Sequence, residues 1–312
     1  MCKRLRMRHP RTALRAFLAA AIVALLLTGC GGTGSSSAAT GEVTVVAAEN
    51  FWGSISSQLA GGHSSVQSII TNPAQDPHSY EPTPADARSL ATARLVIANG
   101  IGYDPWVQRL IAANPASNRI VLTVGGLLGL HAGQNPHRWY DPTDVEAVAH
   151  AITSNLQKLD PKNNGYYAGR LKQFETTGLA RYHALFTAIR ARYSGVPVGA
   201  SESIFALQAP ALGLDLITPY SLMKAISEGA EVTAQDTATA ERQIGQHQIK
   251  VWIYNSQNAT PEIQRLNAEA RAQGIPIATL TETLTPPQDS FEQWQVAQLE
   301  RIEQALHQAT GR

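Results

Sequence analysis

Two histidines stand in matching settings, Asp76-Pro77-His78 and Asn135-Pro136-His137. The first precedes Ser79-Tyr80-Glu81-Pro82 and the second precedes Arg138-Trp139-Tyr140-Asp141-Pro142. Proline fixes the backbone beside each imidazole, which then has little conformational freedom left to lose, as a preorganised ligand requires. Taken singly, each reads better as a surface turn histidine. The other candidates are weaker. His131 lies six residues before His137. Glu146 and His150 are four apart on one expected helix, a spacing that suits a solvated pair. His63, His183, His247 and His307 have no clustered partners, and Glu228, Glu231 and Asp236 read as solvated acids, with a face toward a partner as the alternative. No His-Glu-x-x-His, Gly-x-Ser-x-Gly or Gly-x-x-x-x-Gly-Lys phrase is present, so the chain does not itself power transport.

The elements that must hold these histidines follow from periodicity. Short apolar or β-branched runs at 43–48, 66–70, 95–99 and 120–124, then at 196–200, 214–218, 250–254 and 275–280, alternate with helix-length segments. That alternation indicates parallel α/β sheets, four strands to each. Residues 141–194 carry no strand pattern. Within them Tyr167, Leu171, Phe174, Tyr182, Leu185 and Ile189 form one apolar stripe at helical period with Gly178 inside it. A helix of about 30 residues would run about 45 Å, enough to reach both halves. The expected fold is α/β, two parallel-sheet lobes joined by a long rigid helix. Thr83-Pro84-Ala85-Asp86 places a capping hydroxyl, a proline and an acid at a helix start directly after the first histidine loop. Loops beyond strand ends are where open α/β sheets bind ligands.

The chain has 312 residues, 44% hydrophobic and 16% charged, which excludes a disordered chain or a multi-span membrane protein. Its net charge of +1 is an average. Residues 1–29 hold six basic side chains and no acid; the remaining nineteen basic residues face 24 acids, a balance of −5. Nucleic acid is therefore not an expected partner. The basic start and the apolar run at 16–28 read as an export signal, too short to span a bilayer comfortably. Leu27-Thr28-Gly29-Cys30 resembles the bacterial lipoprotein box, which implies cleavage before Cys30 and a lipid on its thiol. Residues 31–41 then form a flexible tether of roughly 18–20 Å reach. Cys2 leaves with the signal, so the mature chain has no free thiol and no cysteine-based zinc site.

The phrase running from Asp76-Pro77-His78 to Asp86, followed by Ala93-Arg94-Leu95-Val96-Ile97-Ala98-Asn99-Gly100, Asp104-Pro105-Trp106, Asn135-Pro136-His137-Arg138-Trp139 and Ser201-Glu202-Ser203-Ile204-Phe205, resembles the metal-binding subunit of bacterial zinc/manganese ABC importers. The resemblance covers 43–308 and implies one divalent transition metal held in the interlobe cleft by two residues from each lobe. Matched by motif, these are His78, His137, Glu202 and Glu282. Glu202 stands where many zinc-type members carry histidine; Glu282, in Thr281-Glu282-Thr283, stands where aspartate is usual. Two imidazoles and two carboxylates suit Mn²⁺ or Zn²⁺ ahead of Fe²⁺, and four protein ligands favour capture over catalysis. The implied protein is a monomeric, lipid-anchored, extracytoplasmic binding protein serving a permease with a separate ATPase, not an enzyme. Its expected divisions are a signal at 1–29, anchor and tether at 30–41, lobes at 42–160 and 195–312, and the linking helix at 161–194. The alternatives are an extracellular metal-dependent hydrolase, with three ligands and Glu202 or Glu282 as base, and a metal-chelate binder on the same scaffold.

Overall fold

The structure, a computed structural model, describes residues 42–258 and 260–312. The signal, Cys30 and the tether lie outside the described residues. The chain opens with β1 (Val43–Glu49), α1 (Asn50–Ala60), β2 (Ser64–Ile70), α2 (Pro84–Thr92), β3 (Leu95–Ala98), α3 (Pro105–Ala113), β4 (Ile120–Thr123) and a short α4 (Val124–Leu128). These strands form one sheet in the order β2-β1-β3-β4, all parallel, with Val45 opposite both Val66 and Leu95. Val43, Val45 and Ala47 face one apolar cluster while Val46 and Ala48 face another, so the sheet is covered on both sides.

Three helices follow, α5 (Pro142–Leu159), α6 (Asn164–Gln173) and α7 (Ala180–Tyr193). The second sheet then repeats the first. It is built from β5 (Pro197–Ala200), α8 (Gln208–Ala211), β6 (Asp215–Leu216), α9 (Tyr220–Ser227), α10 (Ala234–Gly245), β7 (Val251–Asn255), α11 (Pro261–Ala272) and β8 (Ile277–Leu280), in the parallel order β6-β5-β7-β8. Strand order reverses direction between β1 and β3 and again between β5 and β7. Both switch points open at carboxyl ends, where ligands bind in this architecture.

The single helix expected across 161–194 begins as regular α-helix only at Asn164 and is interrupted by a π turn at Phe174–Gly178. Phe174 and Tyr182 are both buried although eight residues apart, one more than two α turns provide. The π turn absorbs the extra residue and keeps both rings on the core face. Finally α12 (Phe291–Thr310) starts at a capping box of Ser290 and Gln293. It ties to the first lobe, where Gln58 donates to Glu292 at 2.8 Å and the Phe291 N–H donates to Ser54 at 2.8 Å. The main apolar cluster therefore runs without a break from β1 and α1 through α5 and α7 to β7 and α12. No described helix is long and apolar enough to cross a membrane.

Candidate metal centre

His78 leaves the carboxyl end of β2 on a loop fixed by short-range bonds. Asp76 accepts from the His78 N–H and from the Ser79 hydroxyl, both at 2.9 Å, and the Trp106 indole donates to the Pro77 carbonyl at 3.2 Å. Immediately downstream, Thr83 and Asp86 form a capping box that starts α2, and Asp86 also accepts from the Tyr80 hydroxyl at 2.9 Å. Trp106 is itself held by the turn before it. Asp104 accepts from the Asn99 and Gly100 N–H groups at 2.7 Å each, around Ile101 at a φ of 61°. That conformation is rare for a β-branched residue and marks a tightly determined turn.

His137 is seated more deeply. Its ring lies 5.3 Å from that of Trp139, which stacks on Phe51 at 3.9 Å, and Asn99 donates to the Pro136 carbonyl at 2.9 Å. Asn135 Oδ1 lies 2.8 Å from His137 Nδ1. An amide oxygen can only accept, so Nδ1 carries the proton and Nε2 presents a lone pair. From the second lobe, Glu202 follows β5 and Glu282 follows β8. Glu282 Oε1 sits 3.5 Å from His137 Nε2 and 3.7 Å from His78 Nε2, and these three atoms lie within 4.8 Å of one another. Glu202 stands outside that group. It lines the same cavity of about 290 Å³ with His78 and Glu282, and its Oε2 accepts from Asn255 at 3.3 Å.

Burial gives these groups their character. His137 is 1% exposed and Glu202 2%; the Glu282 side chain is 15% exposed and that of His78 27%. Burial pulls the His137 imidazole below its ordinary range, with Glu282 partly opposing, so it is neutral at pH 7. Burial pushes the Glu282 carboxyl up, but the nearby imidazoles of His137 and then His78 outweigh it, and the net direction is down. For Glu202, burial and the Glu282 charge raise the carboxyl to about 8, so it is mainly a neutral acid at pH 7. His78 Nε2, His137 Nε2, Glu202 Oε1 and Glu282 Oε1 are all buried without a hydrogen-bond partner.

Other sequence candidates fall elsewhere. His131 is exposed on its loop. Glu146 and His150 do not pair with each other. Glu146 meets His183 on α7 at 3.1 Å and His150 meets Glu175 in the 174–178 turn at 2.7 Å, so each finds its partner outside its own helix. His183, expected to lack a partner, therefore has one. Glu228 pairs with Lys224 at 3.7 Å and lines the cavity, whereas Glu231 is exposed.

Three residues near the centre were missed by sequence reasoning. Tyr103 packs edge-on against His78 at 4.6 Å, and burial with the Glu282 and Glu49 charges pushes its phenol well up. Asn255 orients Glu202. Glu49, fully buried at the end of β1, faces Asp104, and burial followed by that acid holds its carboxyl far above the ordinary range. Burial also raises Asp104, to about 6. All three lie at or just beyond carboxyl ends of strands, the one signal that could have found them.

A family profile described as zinc-uptake complex component A, periplasmic, matches residues 45–305. The chain is 28% identical over 157 residues to the manganese-binding lipoprotein MntA of Halalkalibacterium halodurans, covering 49% of this chain and 52% of that one. It is 32% identical over 154 residues to the metal ABC transporter substrate-binding lipoprotein FimA of Streptococcus parasanguinis, covering 45% and 50%. The chain thus spans about half the length of the curated relatives it matches. Among solved structures it shares the fold of a Mn-bound periplasmic metal-binding protein from Candidatus Liberibacter asiaticus, with TM-score 0.69, 20% identity, and 85% of this chain and 99% of that one covered. It also shares that of FpvC from Pseudomonas aeruginosa in complex with Mn²⁺, with TM-score 0.68, 18% identity, and 86% and 99% covered. The family profile spans most of the chain, including all four candidate ligands, and the chain belongs to the zinc-uptake complex component A family.

Proposed function

We propose that this chain is the extracytoplasmic solute-binding component of a metal importer. It captures one divalent transition metal, Mn²⁺ or Zn²⁺ ahead of Fe²⁺, on His78, His137, Glu202 and Glu282, and delivers it to an ABC permease driven by a separate ATPase. Residues 1–29 are its export signal, Cys30 its lipid anchor and 31–41 its tether. Residues 42–160 and 195–312 are its two lobes, joined by 161–194. It works as a monomer and binds its cargo without turnover.

The observation that carries this reading is the set of four buried, unpartnered donor atoms, one on each of the four candidate ligands. A buried polar atom without a partner costs about 1–3 kcal/mol; one dication among His78, His137 and Glu282 supplies the missing partner to those three, and Glu202, on the wall of the same cavity, completes the set by turning toward the ion. Donors bound at about 2.1 Å around a tetrahedral ion stand about 3.4 Å apart. The separations of 3.5 and 3.7 Å from Glu282 to the two imidazoles are close to that spacing. Glu282 replaces the usual aspartate without losing reach. Four protein ligands leave no vacant position for a reactive water, which favours capture over hydrolysis.

Equilibrium dialysis of the purified full chain against Mn²⁺ or Zn²⁺, followed by elemental analysis, is expected to give one ion per chain. His78→Ala combined with His137→Ala should abolish binding, a larger loss than the roughly 10–100-fold that removing an outer partner causes. Absence of stoichiometric binding, or unchanged binding in the double variant, would overturn the reading.

A further inference from the structure

Two side-chain amides that ligate nothing in the proposed site each touch both lobes. Asn135 accepts through Oδ1 from the His137 N–H at 3.1 Å and pairs with His137 Nδ1 at 2.8 Å. Its Nδ2 donates across the cleft to the Ser203 carbonyl at 2.7 Å, one residue from Glu202. Gln257 repeats the arrangement from the other side. Its Oε1 accepts from the Glu282 N–H at 2.6 Å and the Thr283 N–H at 2.9 Å, and its Nε2 donates to the Pro73 carbonyl at 2.8 Å, on the segment leading to His78. The same nitrogen lies 2.9 Å from the Thr283 hydroxyl. Amide oxygens only accept and amide nitrogens only donate, so the own-lobe N–H groups fix which way each amide faces and leave its nitrogen aimed at the opposite lobe. Turning either amide over would set donor against donor.

We infer that Asn135 and Gln257 are paired latches, each orienting a ligand of its own lobe and tying it to the segment that carries a ligand of the other. Assembly of the ligand set and closure of the cleft are then one event, and the latches act on release of the ion more than on its capture. The inference rests on the reading of His78, His137, Glu202 and Glu282 as the cation ligands. Both amides are positioning residues.

The acid variants Asn135→Asp and Gln257→Glu separate the two roles. Each keeps the oxygen that faces its own lobe and replaces the donating nitrogen with an oxygen opposed to a carbonyl. The added negative charge by itself would hold a cation longer, so faster release can come only from loss of the cross-cleft bond. Release of Zn²⁺ and of Mn²⁺ from the loaded full chain into excess chelator is followed by stopped flow. The double variant is expected to release at least about tenfold faster, each single variant less so, with capture no slower, because binding mutants act mainly on dissociation. Hydrogen exchange at the Glu282 and Thr283 amides of the metal-free chain should stay slow in Gln257→Glu and become fast in Gln257→Ala. If the double variant does not fold, Asn135→Asp alone carries the test. Stoichiometric binding with unchanged or slower release overturns the latches. Failure of the unsubstituted chain to bind metal overturns the site reading, and the latches with it.

Discussion

At the scale of single residues, the proposed site makes Glu202 the group through which binding should answer to pH. Burial and the nearby Glu282 charge hold its carboxyl at about 8, so near neutrality the metal-free chain carries a proton there that a cation must displace. His137 is kept neutral by burial and has no proton on Nε2 to give up. Affinity should therefore rise with pH up to about 8 and level off above it. Calorimetric titration with Zn²⁺ or Mn²⁺ in buffers of different ionisation enthalpy should count close to one proton released from Glu202 per ion at pH 7 and almost none from it at pH 9. In Glu202→Gln that proton should disappear from the count and binding should weaken. A count at pH 7 that is the same with and without Glu202 would contradict this assignment.

At the scale of elements, the centre stands on helix starts and aromatic packing. The capping box of Thr83 and Asp86 and the Asp76 turn are local devices that bracket His78. His137 depends on longer-range support. Phe51 on α1 stacks on Trp139, which packs beside the imidazole, and both aromatic residues are fully buried. Phe51→Ala should lower the unfolding free energy by about 3–5 kcal/mol in a denaturant titration, since it removes transfer energy and leaves a cavity. It should also weaken metal binding, because the wall behind His137 loosens. A loss of stability with unchanged affinity would show that the loop holds His137 without that wall.

At the scale of the whole molecule, two sheets of identical strand order meet through one continuous core, and each contributes half of the candidate ligands. A cation held by both lobes binds only the folded chain. At about 100 times the dissociation constant it should add about 2.7 kcal/mol of stability, or roughly 5–10 °C in melting temperature. Scanning calorimetry of the full chain with and without Zn²⁺ checks this. Because the core crosses from lobe to lobe, the described part should melt in one transition in both states. Two separate transitions would show that the lobes unfold independently.

The amino-acid sequence by itself determined the eight strands, the α/β class, the cap after His78 and the two proline-bounded histidine loops. All of these arise from contacts within a few residues, where periodicity, capping hydroxyls and proline act directly. Motif resemblance added Glu202 and Glu282 to the candidates, and both line the cavity that His78 enters. Tertiary structure alone decided the rest. Asn135 reaches Ser203 and Gln257 reaches Pro73 only because segments 68 and 184 residues apart are packed together. Glu146 turns to His183, and not to its helical neighbour His150, for the same reason. Even the π turn, foreshadowed by the eight-residue step from Phe174 to Tyr182, is imposed by the core, which needs both rings on one face. Side-chain pairing across the cleft has no local spacing to betray it; it is set by how the two sheets are held against each other.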